Sequence, residues 1–352
     1  MPIHLNDSSR KLVLLGLAVA MLIGVVVGMI MGPAKVDLGS IGNVFASKVG
    51  LSNDTPDPVA DAIVWHIRLP RLISAILAGA GLALSGAMLQ GLFRNPLADP
   101  ALIGVSGGAA MGAVVAFVVL PQIGMTGPLI DWFGLPVLAM CGSVGLTFLI
   151  YRISLVGGKT HVASMLLTGI AINAISGALI GLAVTIFASD DQLRSFTFWS
   201  LGSIAGANWT SVWVIAAIVV PSLFFAIRYA KALNAFLLGE VEAYHLGIEV
   251  QQVKRAAIFL SAIMVGVTVA FFGIIGFVGL VIPHIIRISF GPDHRLLLPA
   301  GALAGGLALI IADTFARTVI APAELQIGIL TSILGGPFFL GLLISGRRKM
   351  AL

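Results

Sequence analysis

The sequence predicts an all-α polytopic membrane protein with about ten transmembrane helices, both termini inside, and two halves related as inverted repeats. Three observations carry that prediction. The chain of 352 residues is 59% hydrophobic and only 10% charged, against roughly a quarter charged in soluble domains, and its mean hydropathy is +1.08. Apolar runs of roughly 20 residues, enough to cross a ~30 Å hydrocarbon core as a helix, recur along the whole length. Basic residues cluster at alternate ends of those runs, which sets the direction of each crossing.

The first run, Leu12 to Met31, follows a short polar start and is long enough to span, so it reads as a retained first helix near 12–32 and not as a cleaved leader. The second and third spans, near 70–92 and 100–120, form one block from Arg68 to Ala110. Two arginines open a helix rich in Gly and Ala, Asn95-Pro96 interrupts it, and a second apolar helix resumes at once. Apolar length alone places the next spans near 136–153, 163–187, 209–229 and 255–277. The eighth, 281–291, is too short to cross alone and follows Gly276-Phe277-Val278-Gly279. A broken or tilted element is expected there, shielded by protein, because unpaired backbone groups cannot face lipid. Spans near 296–316 and 327–345 complete the set. Asp190 to Trp209 reads as an outer loop, and Ala232 to Gln251 as a cytoplasmic loop of two short helices hinged at Gly239 and Gly247.

With the N-terminus inside, fourteen of the 20 lysines and arginines lie at cytoplasmic ends, among them Arg10, Lys254, Arg255 and Arg287. Six lie outside: Lys35, Lys48, Arg68, Arg71, Arg194 and Arg317. Arg68 to Gly104 and Lys254 to Arg287 share one order of features: basic residues, a small-residue helix, a break and a short helix. The second break is expected around Gly276 and Pro283. One copy starts outside and the other inside, the plan of an inverted repeat.

Several function classes fall away. The single cysteine, Cys141, leaves no disulfide framework or cysteine metal cluster. His66, His161, His245, His284 and His294 lack metal-ligand spacing, and His4 lies in the tail. The net charge of +5 is scattered over helix ends, so nucleic acid is not implied. Gly157-Gly158-Lys159-Thr160 mimics the end of a phosphate loop, but Ile153 stands where that pattern needs glycine. Any ATPase must therefore be another chain. Asp313 is the only acid within a predicted span, one turn from Arg317, and an i,i+4 ion pair accounts for it. A cation-coupled carrier would place ionisable groups near the midplane, and an intramembrane enzyme would need a convergent polar cluster. The sequence offers neither. Small-xxx-small spacing at Gly24, Gly28 and Gly32, at Gly104, Gly108 and Gly112, and at Gly301 and Gly305 marks close helix approach, either within the bundle or at a dimer face.

Three segments together resemble the FecCD family: RLPRLISAILAGAGLALSGAMLQGLFRNPLADPALIGVSGG at 68–108, GFVGLVIPHIIR at 276–287 and AELQIGILTSILGGPFF at 323–339. The resemblance covers the chain from Arg68 to about Leu343. It implies a single permease domain over 1–352, in a multi-pass subunit of a type II ABC importer of the bacterial inner membrane. The subunit would be a homodimer with two ABC ATPase subunits inside and a periplasmic substrate-binding protein outside. It would perform no covalent chemistry and hold no permanent cofactor, with ATP on the partner subunit. Haem is the substrate favoured, with ferric siderophore and then cobalamin as alternatives. Carried over by motif, Arg68, Arg71 and Arg317 would receive glutamates of the binding protein. The 232–251 loop, with Gly239, Glu240, Glu242, Leu246 and Gly247, would couple to the ATPase. Phe196, Phe198 and Trp199 would line the pathway, and His161, Val162, Ala163 and Ser164 would form the cytoplasmic gate.

Overall fold

The computed structural model describes residues 6–52, 55–125 and 127–350; His4 lies outside them. Among the described residues, eight helices are long and apolar enough to cross a membrane, and two shorter apolar helices accompany them. All ten expected spans are helical. Helix α1 (Asp7–Ile30) starts at Asn6, whose side chain accepts from the Ser9 amide at 2.8 Å. This satisfies one of the donors that a helix start leaves orphaned. Most of α1 faces outward, with Leu12, Leu15, Val19 and Leu22 exposed. Helix α2 (Leu38–Lys48) is capped by Asp37, whose side chain accepts from both the hydroxyl and the amide of Ser40. Those bonds hold the Asp37 carboxyl below its usual pKa.

The centre of the molecule is α3 (Pro58–Phe93), a continuous 36-residue helix with a π-helical stretch at Ala62–Arg68. Nearly every residue from Pro70 to Phe93 is buried. Around it lie α8 (Trp209–Arg228), α11 (Val250–Phe272), α12 (Val278–Phe290) and α13 (His294–Ala316), while α4 (Val105–Gln122) and α5 (Pro128–Ile153) pack on each other and on α11. Glycine explains how closely they approach. A Cβ on Gly79 would meet the carbonyl of Gly305 on α13, and one on Gly86 would meet that of Gly279 on α12. Gly108 and Gly112 of α4 bear in the same way on Gly142 and Leu138 of α5. Gly24 and Gly28 seat α1 on Leu307 and on Leu72 and Thr314. These small-residue stripes therefore serve packing within the chain, Gly301 excepted, where a Cβ would meet nothing within 4 Å; van der Waals contact replaces the hydrophobic drive that lipid removes.

Helix α6 (Val162–Phe187) and α14 (Ile327–Met350) complete the ten. Helix α6 is the least covered, with Leu167, Ile170, Ile175, Leu179, Leu182 and Ile186 exposed. A two-residue hairpin, β1 (Leu155–Val156) with β2 (Lys159–Thr160), joins α5 to α6. Gly157 and Gly158 at its turn have φ +57° and +76°, the left-handed pair a tight hairpin requires. These glycines thus shape a turn and not a phosphate loop.

The two expected breaks are present. After α3, Arg94 turns left-handed (φ 49°), Asp99 caps a 3-10 turn at Pro100–Ile103, and Gly104 (φ 87°) starts α4. After α11, Gly273 and Phe277 both have positive φ and residues 274–277 are non-helical. The Phe272 carbonyl, freed where α11 ends, accepts from the Ser203 amide at 2.8 Å, so a protein neighbour takes up a backbone group that lipid could not satisfy. The break lies at 273–277, whereas Pro283 falls inside α12 and does not interrupt it. The outer segment 190–209 is not wholly a loop. Its first half is a helix, α7 (Asp190–Ser200), started by a reciprocal capping box between Ser189 and Gln192. The inner connection contains α9 (Ala230–Leu238) and α10 (Glu240–His245), with Gly239 between them at φ +136°.

Candidate functional site

Ionic groups gather at the two ends of the bundle. At one end, Arg71 on α3 donates from Nε to both oxygens of Asp313 on α13, at 2.9 and 3.0 Å. Its Nη1 and Nη2 donate to Oε1 and Oε2 of Glu324 at 3.0 and 2.9 Å. One guanidinium thus bridges two carboxylates, the planar fork geometry that arginine allows and lysine does not. Arg68 turns its guanidinium to the carbonyls of Met29, Ile30 and Ala34, and Arg317 turns to the carbonyl of Gly28. These carbonyls belong to the last turn of α1 and the chain just beyond it. Helix C-termini leave such groups unpaired and partly negative, so the two arginines close the end of α1.

Motif and topology alone present Arg68, Arg71 and Arg317 as open docking charges. The structure does bring the three together, but it buries each of them, at 3%, 5% and 3% exposure. The physical reason is that each has an internal acceptor within reach. Asp313 makes the expected i,i+4 ion pair with Arg317, at 3.8 Å, and adds a closer partner, Arg71, 242 positions away in sequence. Glu324 is the member of the cluster nearest to solvent, its side chain 33% exposed.

At the opposite end, Arg10 of α1 meets Asp293, the N-cap of α13, at 2.6 Å. Two residues that the charge pattern assigns to the same membrane side therefore meet in space. Asn234 of α9 donates to Asp293 at 2.6 Å and accepts from the His294 amide at 2.8 Å, anchoring α9 to α13. Burial raises the Asp293 pKa, but the Arg295 amide, Asn234 and the Arg10 charge outweigh it and hold the carboxyl below its usual value. Lys254, buried in the first turns of α11, donates to Glu240 of α10 at 2.7 Å and to the Thr160 carbonyl of β2 at 2.8 Å. Gln251 accepts from the Thr160 amide at 3.0 Å. Beyond these ties, α9 and α10 expose Leu238, Val241, Tyr244 and Leu246. Gly239 and Gly247 flank α10 and both need positive φ. His161 begins α6 directly after Thr160, with His161 and Ala163 exposed and Val162 and Ser164 half-buried.

The expected pathway aromatics all sit on α7. Phe196 and Trp199, one turn apart, lie with ring centroids 6.1 Å apart, and both are half-buried. The main chain of Trp199 packs against Gly273 at the α11 break. Phe198 is exposed. Sequence reasoning passes over Lys254, Asn234 and Asp293, treating the lysine only as a topological charge. The available signal is faint, because Gln251, Gln252 and Arg255 beside Lys254 make the start of α11 read as an ordinary polar helix end.

The fold and its two polar ends define a multi-pass helical permease. The FecCD transport family model matches residues 7–345, and the chain belongs to that family. The chain is 45% identical over 290 residues to the hemin transport system permease protein HmuU of Yersinia pestis, covering 81% of this chain and 85% of that one. The cobalamin import system permease protein BtuC of Halobacterium salinarum is 40% identical, with coverage of 81% and 74%. The vitamin B12 import system permease protein BtuC of Shigella boydii is 38% identical, covering 95% of each chain. Among solved structures, an inward-facing conformation of a putative metal-chelate type ABC transporter superimposes with a TM-score of 0.81 at 31% identity, covering 95% of this chain and 99% of that chain. The chain is a permease subunit of the ABC importer class, embedded in the bacterial inner membrane by many spans. It is a transport subunit and not an enzyme.

Proposed function

We propose that this chain forms a homodimer that passes haem inward across the bacterial inner membrane, driven by ATP on two separate ATPase subunits and supplied by a periplasmic binding protein. The observation that carries the substrate is the 45% identity to a hemin permease, against 40% and 38% to two cobalamin permeases over comparable or longer alignments. The α7 aromatics Phe196, Phe198 and Trp199 suit a large planar ligand, because ring faces offer apolar area with little conformational entropy to lose. The exposed apolar flank of α6 is the face on which a second copy would seat.

In this reading the exposed apolar residues of α9 and α10 dock on the ATPase, with Gly239 and Gly247 as hinges and Glu240, Glu242 and Leu246 on the presented segment. The 232–251 segment is then the coupling loop of one permease domain, and His161 to Ser164 form the inner gate. The outer cluster of Arg68, Arg71 and Arg317 receives acidic residues of the binding protein. Because Arg71 already holds Glu324, an incoming carboxylate exchanges with Glu324 while Asp313 stays in place. Such charge pairing acts mainly on encounter rate and register.

The test is uptake into proteoliposomes holding this chain with its cognate ATPase and binding protein, comparing haem, a ferric siderophore and cobalamin with and without ATP. ATP-dependent accumulation of haem alone is the expected result. Uptake of another chelate would overturn the substrate, and uptake driven by an ion gradient without ATP would overturn the importer assignment itself.

A further inference from the structure

We propose that Lys254 is the positioning residue that transmits movement of the coupling segment to the inner gate, a role that rests on the coupling and gate readings above. The lysine is 2% exposed, and its ammonium joins two separate elements. One donor goes to the Glu240 carboxylate at the first residue of α10, and another to the carbonyl of Thr160. Thr160 is the last residue of the hairpin and the immediate neighbour of His161, where α6 begins. Gln251, one turn earlier on α11, holds the Thr160 amide. Both main-chain polar groups of Thr160 are therefore fixed by α11. At the other end of the hairpin the space is open, since a Cβ added to Gly157 or Gly158 would meet nothing within 4 Å.

This arrangement anchors the hairpin at Thr160, and it ties that point to the segment presented to the ATPase. Releasing Glu240 would leave the buried ammonium without its counter-charge, and releasing the Thr160 carbonyl would cost a charge-assisted hydrogen bond. When Glu240 moves with α10, Thr160 must follow or the lysine must surrender a charge-assisted hydrogen bond. Glu240 is the first residue of α10, its side chain 39% exposed and its carboxylate held by the ammonium, so a displacement of α10 loads that hydrogen bond. Val241 and Tyr244, exposed on the same short helix, are the handle on which a partner would push.

A lysine that merely stabilises the fold would leave coupling efficiency untouched, and this separates the two roles. The experiment uses the full importer in proteoliposomes, supplied with whichever of haem, ferric siderophore or cobalamin the wild type takes up, and records substrate moved per ATP hydrolysed. Lys254→Met should still co-purify with the ATPase and support ATP hydrolysis. Its uptake per ATP should fall by roughly tenfold or more, the value of one lost charge-assisted hydrogen bond. Lys254→Arg, which keeps the charge and the donors, should restore most of it. A spin label at His161→Cys should shift on ATP addition in the wild-type background and not in Lys254→Met. Gln251→Leu, which removes the other tie to Thr160 without touching a charge, should lower the same ratio and serves if Lys254→Met does not fold. An uptake-to-ATP ratio within about twofold of wild type in either variant would overturn the relay. Loss of ATPase association in Lys254→Met would do so as well, showing the lysine to be structural. Failure of the underlying reading looks different: deletion of Gly239 to Gly247 would then leave both ATPase recruitment and full ATP-driven transport intact.

Discussion

Replacing Arg71 by methionine should destabilise the folded chain far more than replacing its whole ion pair. Arg71 supplies both close hydrogen bonds to Asp313, whose side chain has no solvent exposure. Methionine keeps most of the aliphatic volume but leaves that carboxylate with only Arg317 Nε, at 3.8 Å. Breaking a buried pair by removing one partner costs about 3–5 kcal/mol, because the remaining charge is unsolvated and here keeps only the longer contact to Arg317. The contribution of Glu324 is smaller, since that carboxylate is one-third exposed and water can take over, so about 0–1 kcal/mol is lost there. The double variant Arg71→Met/Asp313→Leu removes both charges at once. Replacing a buried pair by apolar groups of similar size is often neutral or better, so the double variant should recover about 2 kcal/mol or more relative to the single. Equilibrium unfolding by sodium dodecyl sulfate in mixed micelles, read on wild type, both singles and the double, measures the cycle. A double variant as unstable as Arg71→Met would refute the burial argument. So would an Arg71→Met chain within about 1 kcal/mol of wild type.

Glu324→Gln should tighten association with the binding protein by severalfold, since it weakens the internal competitor for Arg71. That association is read by surface plasmon resonance on the importer in nanodiscs, whereas reversing the buried Arg68, Arg71 and Arg317 to glutamate would set three acids beside Asp313 and Glu324 and should disrupt the fold itself. Deleting Gly239 to Gly247 should abolish ATPase recruitment or coupling, and full ATP-driven transport by the deleted chain would count against the coupling segment. The anchor at Asp293 should be acid-sensitive. Its folded pKa lies below the unfolded value of about 3.9, so its contribution is complete above that value and disappears as pH falls through the folded one. Spin labels at His245 and Arg295 should report a broadening distance distribution over that acid window, and Asp293→Asn should remove the pH dependence.

The spans are legible in the sequence because lipid imposes a length and a polarity on every crossing, and no packing detail is needed to see either. The glycine stripes are legible for a similar reason: at Gly79, Gly86 and Gly108 only a missing side chain lets a neighbouring carbonyl come so close. What escapes are facts about facing. Counting basic residues puts Arg68, Arg71 and Arg317 at the same end of the bundle, yet it cannot say whether a guanidinium turns outward or into the carbonyls that finish α1. Sequence pairs Asp313 with Arg317 because it shows only the neighbour one turn away, whereas folding delivers Arg71 from another helix at shorter range. Helix α7 reads as loop because Asp190, Asp191, Gln192 and Arg194 hide any apolar period. Its start signal, Ser189 with Gln192 three positions later, is nonetheless in plain view.

The positions of the polar groups also constrain how the molecule can work. The outer cluster sits on the first part of α3 and the last part of α13, and the inner anchors sit on the first parts of α11 and α13. Between these ends α3 meets α13 backbone to backbone at Gly79 and Gly305, so at that crossing there is little side chain to absorb a shift by changing rotamer. Close-packed interiors of this kind transmit displacement and do not damp it. A push at the inner end therefore moves α3, α11 and α13 as bodies, and the compliant places are the ones where the backbone already leaves the helix. Those are the α3–α4 turn at Arg94 to Gly104 and the α11–α12 break at Gly273 to Phe277. Stiffening either break should slow transport without touching the charge clusters. Gly273→Ala is the sharper case, because its φ of +70° strains any residue with a Cβ and that Cβ would meet the carbonyl of Trp199. Its uptake should fall while binding-protein and ATPase association hold, and equal losses in all three would place the defect in folding.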